Sequence, residues 1–107
     1  MTYEVLPSKR TVIGLPFGID TTVVNSSTSV TTASTLVMAS NSSRNYALIT
    51  NDSDTLLYLG IGAAAKANQG ARLASGGTYQ IDPNNRFVGS IYAISSVSGK
   101  NVITVEG

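Results

Sequence analysis

Cysteine and histidine are both absent from this chain of 107 residues. Their absence excludes disulfides, thiolate zinc sites and every catalytic pair in which a histidine activates a serine or a cysteine. Acid–base chemistry is left to lysine, tyrosine and six carboxylates. The sequence therefore predicts a protein that is not an enzyme and that has no catalytic residues, no cofactor and no bound metal.

Charged residues are also few, because they make up 12% of the chain, and the formal net charge is +1. Such a chain has no strong field to attract nucleic acid or an anionic membrane. No apolar run approaches the ~20 residues that a membrane-spanning helix needs, and the opening MTYEVLPSKR lacks the apolar segment of a secretory signal. We therefore expect a soluble chain made in the cytoplasm, with neither nucleic acid nor membrane as a partner.

Serine, threonine, asparagine, glycine and valine are abundant, and this mixture favours short strands and tight turns over helices. Turn signals separate about eight candidate strands, which is typical of an antiparallel β-sandwich or jelly roll. A parallel sheet would need helices between its strands. Only AAAKANQGA has helix propensity, and because it is short and ends at Gly70 it predicts one helical turn or a loop. The predicted fold class is all-β.

The first twenty residues differ from the rest, since their short apolar clusters are broken by Pro7, Gly14, Pro16 and Gly18. Each proline removes a backbone donor and biases its predecessor toward extended geometry. The sequence thus predicts an extended N-terminal arm over residues 1–20 and a β-sandwich domain over 21–107. The arm either contacts another subunit or folds back over its own domain. The candidate contact residues of the arm are Val5, Leu6, Val12, Ile13, Leu15 and Phe17.

Residues 21–40 are almost uncharged and rich in β-branched side chains. They predict two or three short strands, near residues 21–24, 29–32 and 35–39, with a turn at Asn25-Ser26-Ser27. Low-complexity disorder is the alternative, but this stretch has more large apolar side chains than disordered segments usually carry.

A regular alternation begins in the stretch NYALITN. It places two groups of side chains on opposite faces of a strand: Ala47 and Ile49, against Tyr46, Leu48 and Thr50. The run TLLYLGIG follows after the polar break NDSD, so the two runs predict a hairpin-like pair. Further turns are predicted at Gly76-Gly77 and at Ser98-Gly99, the latter between the last two strands.

Asp52 and Asp54 lie in the polar break, among other oxygen-bearing side chains. A calcium loop of the EF-hand type that began at Asp52 would need glycine at its sixth position and glutamate at its twelfth. The chain has Leu57 and Ala63 there. The preferred interpretation is an ordinary turn, with metal binding or another surface contact as the alternatives.

The tyrosines and arginines have no catalytic partners in the sequence. Four tyrosines fall within predicted strands, where half-buried rings are expected: Tyr46, Tyr58, Tyr79 and Tyr92. Three arginines fall at strand ends or in loops, where solvated side chains are expected and interface ion pairs are the alternative: Arg44, Arg72 and Arg86.

The chain from residue 41 onward contains an ordered series of motifs in NSSRNYALITNDSDTLLYLGIG, GARLASGGTYQID and GSIYAISSVSGKNVITVEG. An arginine precedes an apolar strand, an Asn-X-Ser turn leads to a Tyr-X-Gly-X-Gly strand, and a Gly-Gly hairpin follows. A Gly-X-Ile-Tyr-Ala-Ile-Ser strand and a valine-rich strand complete the series. This order resembles a module of small virion proteins of tailed bacteriophages. The residues that carry the resemblance are Arg44, Asn51, Ser53, Tyr58, Gly60, Gly62, Gly76, Gly77, Gly89, Ile91, Tyr92, Ala93, Ile94 and Ser95.

The resemblance covers about three-fifths of the chain and implies a non-enzymatic β-sandwich on the capsid surface of a virion. It implies a decoration or cement protein that binds the major capsid protein and stabilises the head. The apolar arm could add main-chain hydrogen bonds to an exposed strand of the shell or of a neighbouring copy. Association of three copies as a homotrimer would make the attachment multivalent.

The alternative is a sugar-binding or host-adhesion module of the virion, because jelly rolls also serve as lectins. Its candidate residues are Asp52, Asp54, Tyr79, Asn84 and Asn85. A hydrolase that uses Asp52 or Asp82 is a third interpretation, since a fold alone does not exclude an activity.

Overall fold

The structure, a computed structural model, describes residues 23–107. This part of the chain contains no helix, and the predicted all-β class is confirmed for it. No helix there could therefore cross a membrane. The strands are β1 (Val24–Val30), β2 (Thr35–Met38), β3 (Ala47–Asn51), β4 (Leu57–Ile61), β5 (Ala71–Leu73), β6 (Thr78–Ile81), β7 (Ile91–Ser95) and β8 (Lys100–Glu106).

The strands form two antiparallel sheets of four. The first sheet has the order β1-β8-β3-β6, and the second has the order β2-β7-β4-β5. In the first sheet β3 lies between β8 and β6, and in the second β4 lies between β7 and β5. The stretch AAAKANQGA lies in the loop of residues 62–70 between β4 and β5, except for its last residue, Ala71, which begins β5. A loop is one of the two alternatives predicted for it.

Buried side chains from both sheets form one hydrophobic core. In β3, Ala47 and Ile49 are fully buried, whereas Leu48 and Thr50 are half-buried on the opposite face, so the predicted alternation is confirmed. The other three inner strands repeat this period of two, because each has one face on the core. Their fully buried apolar residues are Leu57, Leu59, Ile91, Ala93 and Val102.

Consecutive strands mostly belong to different sheets. Among the described strands, only β4 and β5 are both consecutive in the chain and paired with each other. The connection of residues 52–56 leads from β3 in the first sheet to β4 in the second, and residues 74–77 lead back from β5 to β6. The predicted hairpin at NDSD is therefore wrong. A turn is present at Gly76-Gly77 as predicted, where Gly77 N–H donates to the carbonyl oxygen of Ala74 at 2.8 Å, but it joins strands of different sheets and closes no hairpin. Alternation identified the buried face of each strand, but it carries no information about the strand's partner.

The predicted turn at Asn25-Ser26-Ser27 is also wrong. These residues lie in the middle of β1, which pairs with β8 over its full length, from Val24↔Glu106 to Val30↔Lys100. The turn lies at residues 31–34, where the Thr31 hydroxyl oxygen accepts the backbone N–H of Ala33 at 3.1 Å. Asparagine and serine favour turns locally, but here the ladder to β8 overrides that preference.

Candidate functional site

Arg44 lies in the β2–β3 connection and is the largest fully buried side chain of the described residues. Its Nε donates to Oε2 of Glu106, at the end of β8, over 2.6 Å. The prediction of a solvated Arg44 is therefore wrong. The physical reason is a carboxylate that lies 62 residues away in the chain and is brought beside the guanidinium by the β3–β8 ladder.

The remaining donors of Arg44 bind backbone carbonyls. Nη1 donates to the carbonyl oxygens of Phe87 at 2.9 Å and Gly89 at 3.0 Å, and Nη2 donates to that of Ala39 at 2.7 Å. A planar guanidinium can serve several acceptors at once because its donors form a fixed fork. Arg44 thus joins the β2–β3 connection, the β6–β7 connection and the end of β8. We call this end of the molecule the Arg44 end.

Arg86 reinforces the Arg44 end from outside. Its Nε donates to the carbonyl oxygen of Arg44 and its Nη2 donates to that of Ser42, both at 2.7 Å. Arg86 and Arg72 are exposed, as predicted. The arginines of the Arg44 end therefore bind loop carbonyls of their own chain, which fixes the loops.

Asn51 has the corresponding position at the opposite end, which we call the Asn51 end. The side chain is fully buried at the end of β3. Its Nδ2 donates to the carbonyl oxygens of Thr55 at 2.8 Å and Leu73 at 3.0 Å, and its Oδ1 accepts the Ser53 hydroxyl at 2.6 Å. The amide thereby holds the β3–β4 connection against the end of β5. The sequence predicts a turn at Asn51 but does not predict that its side chain is buried.

Asp52 and Asp54 are exposed at the Asn51 end. Asp54 Oδ1 accepts Lys100 Nζ at 2.7 Å, and Asp52 Oδ2 accepts the side-chain amide of Asn101 at 3.2 Å. The hydrogen bond from Lys100, helped by one from Thr55, lowers the pKa of the Asp54 carboxyl. Among residues 23–107, no three His, Cys, Asp or Glu side chains are grouped as metal ligands. The contacts of both aspartates support the turn interpretation.

The candidate sugar-binding residues are not brought together. Asn84 and Asn85 lie in the β6–β7 connection at the Arg44 end, where their backbone N–H groups donate to Asp82 Oδ1 at 2.9 and 3.3 Å. Asp52 and Asp54 lie at the Asn51 end. Tyr79 is half-buried and packs against the core, so its ring does not form an exposed stacking platform.

A pocket of about 400 Å³ lies on the outer face of the second sheet. Leu56, Tyr58, Ala67 and Ile94 are among its lining residues, of which Tyr58 alone has an acid–base group. Tyr58 donates its hydroxyl to Asn68 Oδ1 at 2.9 Å. The pocket is apolar and contains no pair of groups that could act as acid and base.

Several large apolar side chains are exposed in the described part of the chain. They are spread over strands of both sheets and the segments between them: Val23, Val24, Leu36, Tyr46, Val97 and Ile103. The arm candidates Val5, Leu6, Val12, Ile13, Leu15 and Phe17 lie outside the described residues.

The chain matches no protein-family model, and comparisons with curated proteins and with solved structures find no significant match.

Sequence reasoning missed the two buried polar side chains that fix the ends of the molecule. Arg44 precedes an alternating strand, and Glu106 is a lone acid at the end of the last strand. These two facts suggest an ion pair only once the two strands are known to be neighbours. For Asn51 the available signal was its position at the end of a buried face, where Ala47, Ile49 and Asn51 share one side of the strand.

Proposed function

We propose that this chain is a non-enzymatic structural protein of a tailed-bacteriophage virion. In this proposal it is a capsid decoration protein that binds the major capsid protein on the outside of the head and stabilises the shell. It attaches through the apolar residues of its N-terminal arm, and it acts as a homotrimer.

One observation carries the proposal: residues that produce the resemblance to phage virion proteins are those that hold the fold together. Arg44 joins the loops at one end, and Asn51 with Ser53 fixes the other. Gly60 lies where an added Cβ would meet the backbone of residues 63–65, and Gly76 has a φ of 77°. The motifs behind the resemblance thus include positions that stabilise the fold, which suits a protein whose task is mechanical.

The strand order supports a jelly roll. Two four-stranded antiparallel sheets share one core, and chain connections pass repeatedly from one sheet to the other. The orders β1-β8-β3-β6 and β2-β7-β4-β5 fit an eight-stranded roll made of two Greek keys, an architecture that viral capsid domains use.

The distribution of polar groups is consistent with a role without chemistry. The buried Arg44 and Asn51 bind groups of their own chain, and the exposed Asp54 is paired with Lys100. Stabilisation of a shell needs attachment at several points rather than a reactive centre, because simultaneous contacts raise the overall affinity without new chemistry.

A binding assay tests the proposal on heads of the phage that encodes the chain, prepared without this protein. The full chain should co-sediment with the heads, saturate at a fixed ratio to the major capsid protein and raise the temperature at which the heads rupture. Replacing two apolar arm residues, Leu15→Asp with Phe17→Asp, should abolish co-sedimentation, because the arm would lose apolar surface that is buried on binding.

A matched control carries the same two charges at polar arm positions, Ser8→Asp with Thr11→Asp, and should still bind. Circular dichroism should show the same strand content in both variants. Full occupancy by the Leu15→Asp, Phe17→Asp variant would contradict the role of the arm. Failure of the unmodified chain to bind heads would contradict the proposed function.

A further inference from the structure

The β1 strand forms one edge of the first sheet. It is seven residues long and pairs with β8 along its whole length without a bulge. Within residues 23–107, no strand pairs with its other side. Five of its first six residues are exposed. The strand therefore presents a long row of backbone donors and acceptors on that side.

The other three edge strands have features that discourage pairing with another chain. β5 has only three residues, one of them the exposed Arg72. β2 has four residues and an irregular register between Leu36 and Met38, and β6 has four residues followed by Asp82-Pro83. Short length, charge, bulges and proline are the usual protections of a sheet edge. The β1 sequence VNSSTSV has no charge, proline, glycine or bulge.

The β1 sequence is also nearly symmetric about its centre. If two copies run antiparallel with Ser27 opposite Ser27, Val24 meets Val30, Asn25 meets Ser29 and Ser26 meets Thr28. Every pair matches apolar with apolar or polar with polar, and each joins residues of the same face. No charges are brought together.

We propose that β1 is a homotypic docking edge that pairs antiparallel with β1 of a second copy, about a twofold axis through Ser27. The two first sheets then become one continuous sheet of eight strands, β6-β3-β8-β1 followed by the same four in reverse order. A twofold contact of this kind is isologous, so both copies use the same surface. It is a contact distinct from the threefold association proposed above.

The neutral β1 of a second copy fits this edge better than the residues that precede it. Residues 1–22 contain Pro7 and Pro16, each of which lacks a backbone donor. The stretch between the two prolines, residues 8–15, includes Lys9 and Arg10. These two adjacent charges would lie against a neutral strand. The β1 strand has no proline over its seven residues, so every second N–H, on the side away from β8, is available to a partner, and its side chains match those of a second copy.

Cysteine substitution in the full chain tests the contact directly, because the native chain has no thiol. Residues opposite each other in an antiparallel pair have Cα atoms about 4.5–5.5 Å apart, which lies within the range that a disulfide spans. S27C should therefore form a covalent dimer under mild oxidation on a non-reducing gel. The control Q80C replaces a residue that is also exposed, on β6 at the other edge of the same sheet, and should stay uncrosslinked.

Charge substitution gives a second, independent measurement by analytical ultracentrifugation. S27K alone and S27E alone should each raise the dissociation constant of the twofold contact by about tenfold, since like charges meet at the axis. Mixing S27K with S27E should restore association as a heterodimer. The control pair Q80K and Q80E should associate like the native chain, whether alone or mixed.

Three results would overturn the proposal: no crosslink in S27C, equal crosslinking in Q80C, or no recovery on mixing S27K with S27E. The first would also be seen if residues 1–22 or another protein occupied the edge. None of these results bears on head binding, which is measured separately with the arm variants. The twofold contact and the capsid role can thus fail independently.

Discussion

At the scale of single residues, Arg44 explains how three separate segments are held at one end of a small domain. A buried charge is costly unless it is paired and hydrogen-bonded. Arg44 meets this condition through Glu106 and three backbone carbonyls. Removal of the side chain would leave those acceptors without their donor and Glu106 without its counter-charge.

Replacement of this arginine should be strongly destabilising. We expect Arg44→Met to lower the free energy of unfolding by about 3–5 kcal/mol, the usual cost of removing one partner from a buried ion pair. Arg44→Lys should recover only part of this, because an ammonium cannot serve the carbonyls in the same fixed geometry. Urea denaturation followed by circular dichroism measures both variants.

The matched control is Arg72→Met, since Arg72 is exposed on the edge strand β5. It should change the free energy of unfolding by less than about 0.5 kcal/mol. Equal stability of Arg44→Met and Arg72→Met would mean that the Arg44 contacts do not hold the loops.

The Asp54–Lys100 pair predicts that the free energy of unfolding depends on pH. Lys100 lowers the pKa of the Asp54 carboxyl through a hydrogen bond, so the folded chain holds the proton less tightly than the unfolded chain. The stabilisation is present above the unfolded pKa and is lost as the pH falls through the folded pKa. Lys100→Met should raise the pKa of Asp54, measured by carboxyl carbon NMR. Lys66→Met should leave it unchanged, and a pKa unaffected by Lys100→Met would contradict the pairing.

At the scale of elements, the sequence identified the faces of strands better than it identified their neighbours. The period of two in NYALITN correctly placed Ala47 and Ile49 inside. The polar break after it looks the same whether it joins a hairpin or a connection between sheets, and here it joins two sheets. Burial of Arg44 could not be predicted either, since it depends on the β3–β8 pairing across half of the chain.

The loop of residues 62–70 depends on a glycine in β4. A Cβ at Gly60 would meet the backbone N of Ala65 at 2.7 Å and the carbonyl carbon of Ala64 at 2.8 Å, and these backbone atoms cannot rotate away as a side chain can. We expect Gly60→Ala to lower the free energy of unfolding by about 1–3 kcal/mol, as overpacking usually does. Amide hydrogen exchange should become faster across residues 62–70 than elsewhere.

Gly76→Ala separates this steric effect from a conformational one. A Cβ at Gly76 meets nothing within 4 Å, but the residue has a φ of 77°. The expected cost is about 1–2 kcal/mol from the left-handed backbone alone, with no selective change in the 62–70 loop. Faster exchange of that loop in Gly76→Ala, or unchanged exchange in Gly60→Ala, would contradict the assigned cause.

At the scale of the whole molecule, the described residues form a scaffold with one core and with polar side chains fixing the loops at both ends. The composition predicted the all-β class, because β-branched residues are abundant and favour strands. A binding partner could not be predicted in the same way, since the apolar residues of the predicted arm indicate a buried contact without specifying the surface that buries them.

Electron cryomicroscopy of purified virions tests the central claim, that the chain is a scaffold attached to the capsid by its first residues. We predict density for the β-body at regular positions on the head, with Leu15 and Phe17 in contact with another subunit. Virions that carry the protein away from the head, or a map in which both side chains pack only against their own β-body, would contradict the account.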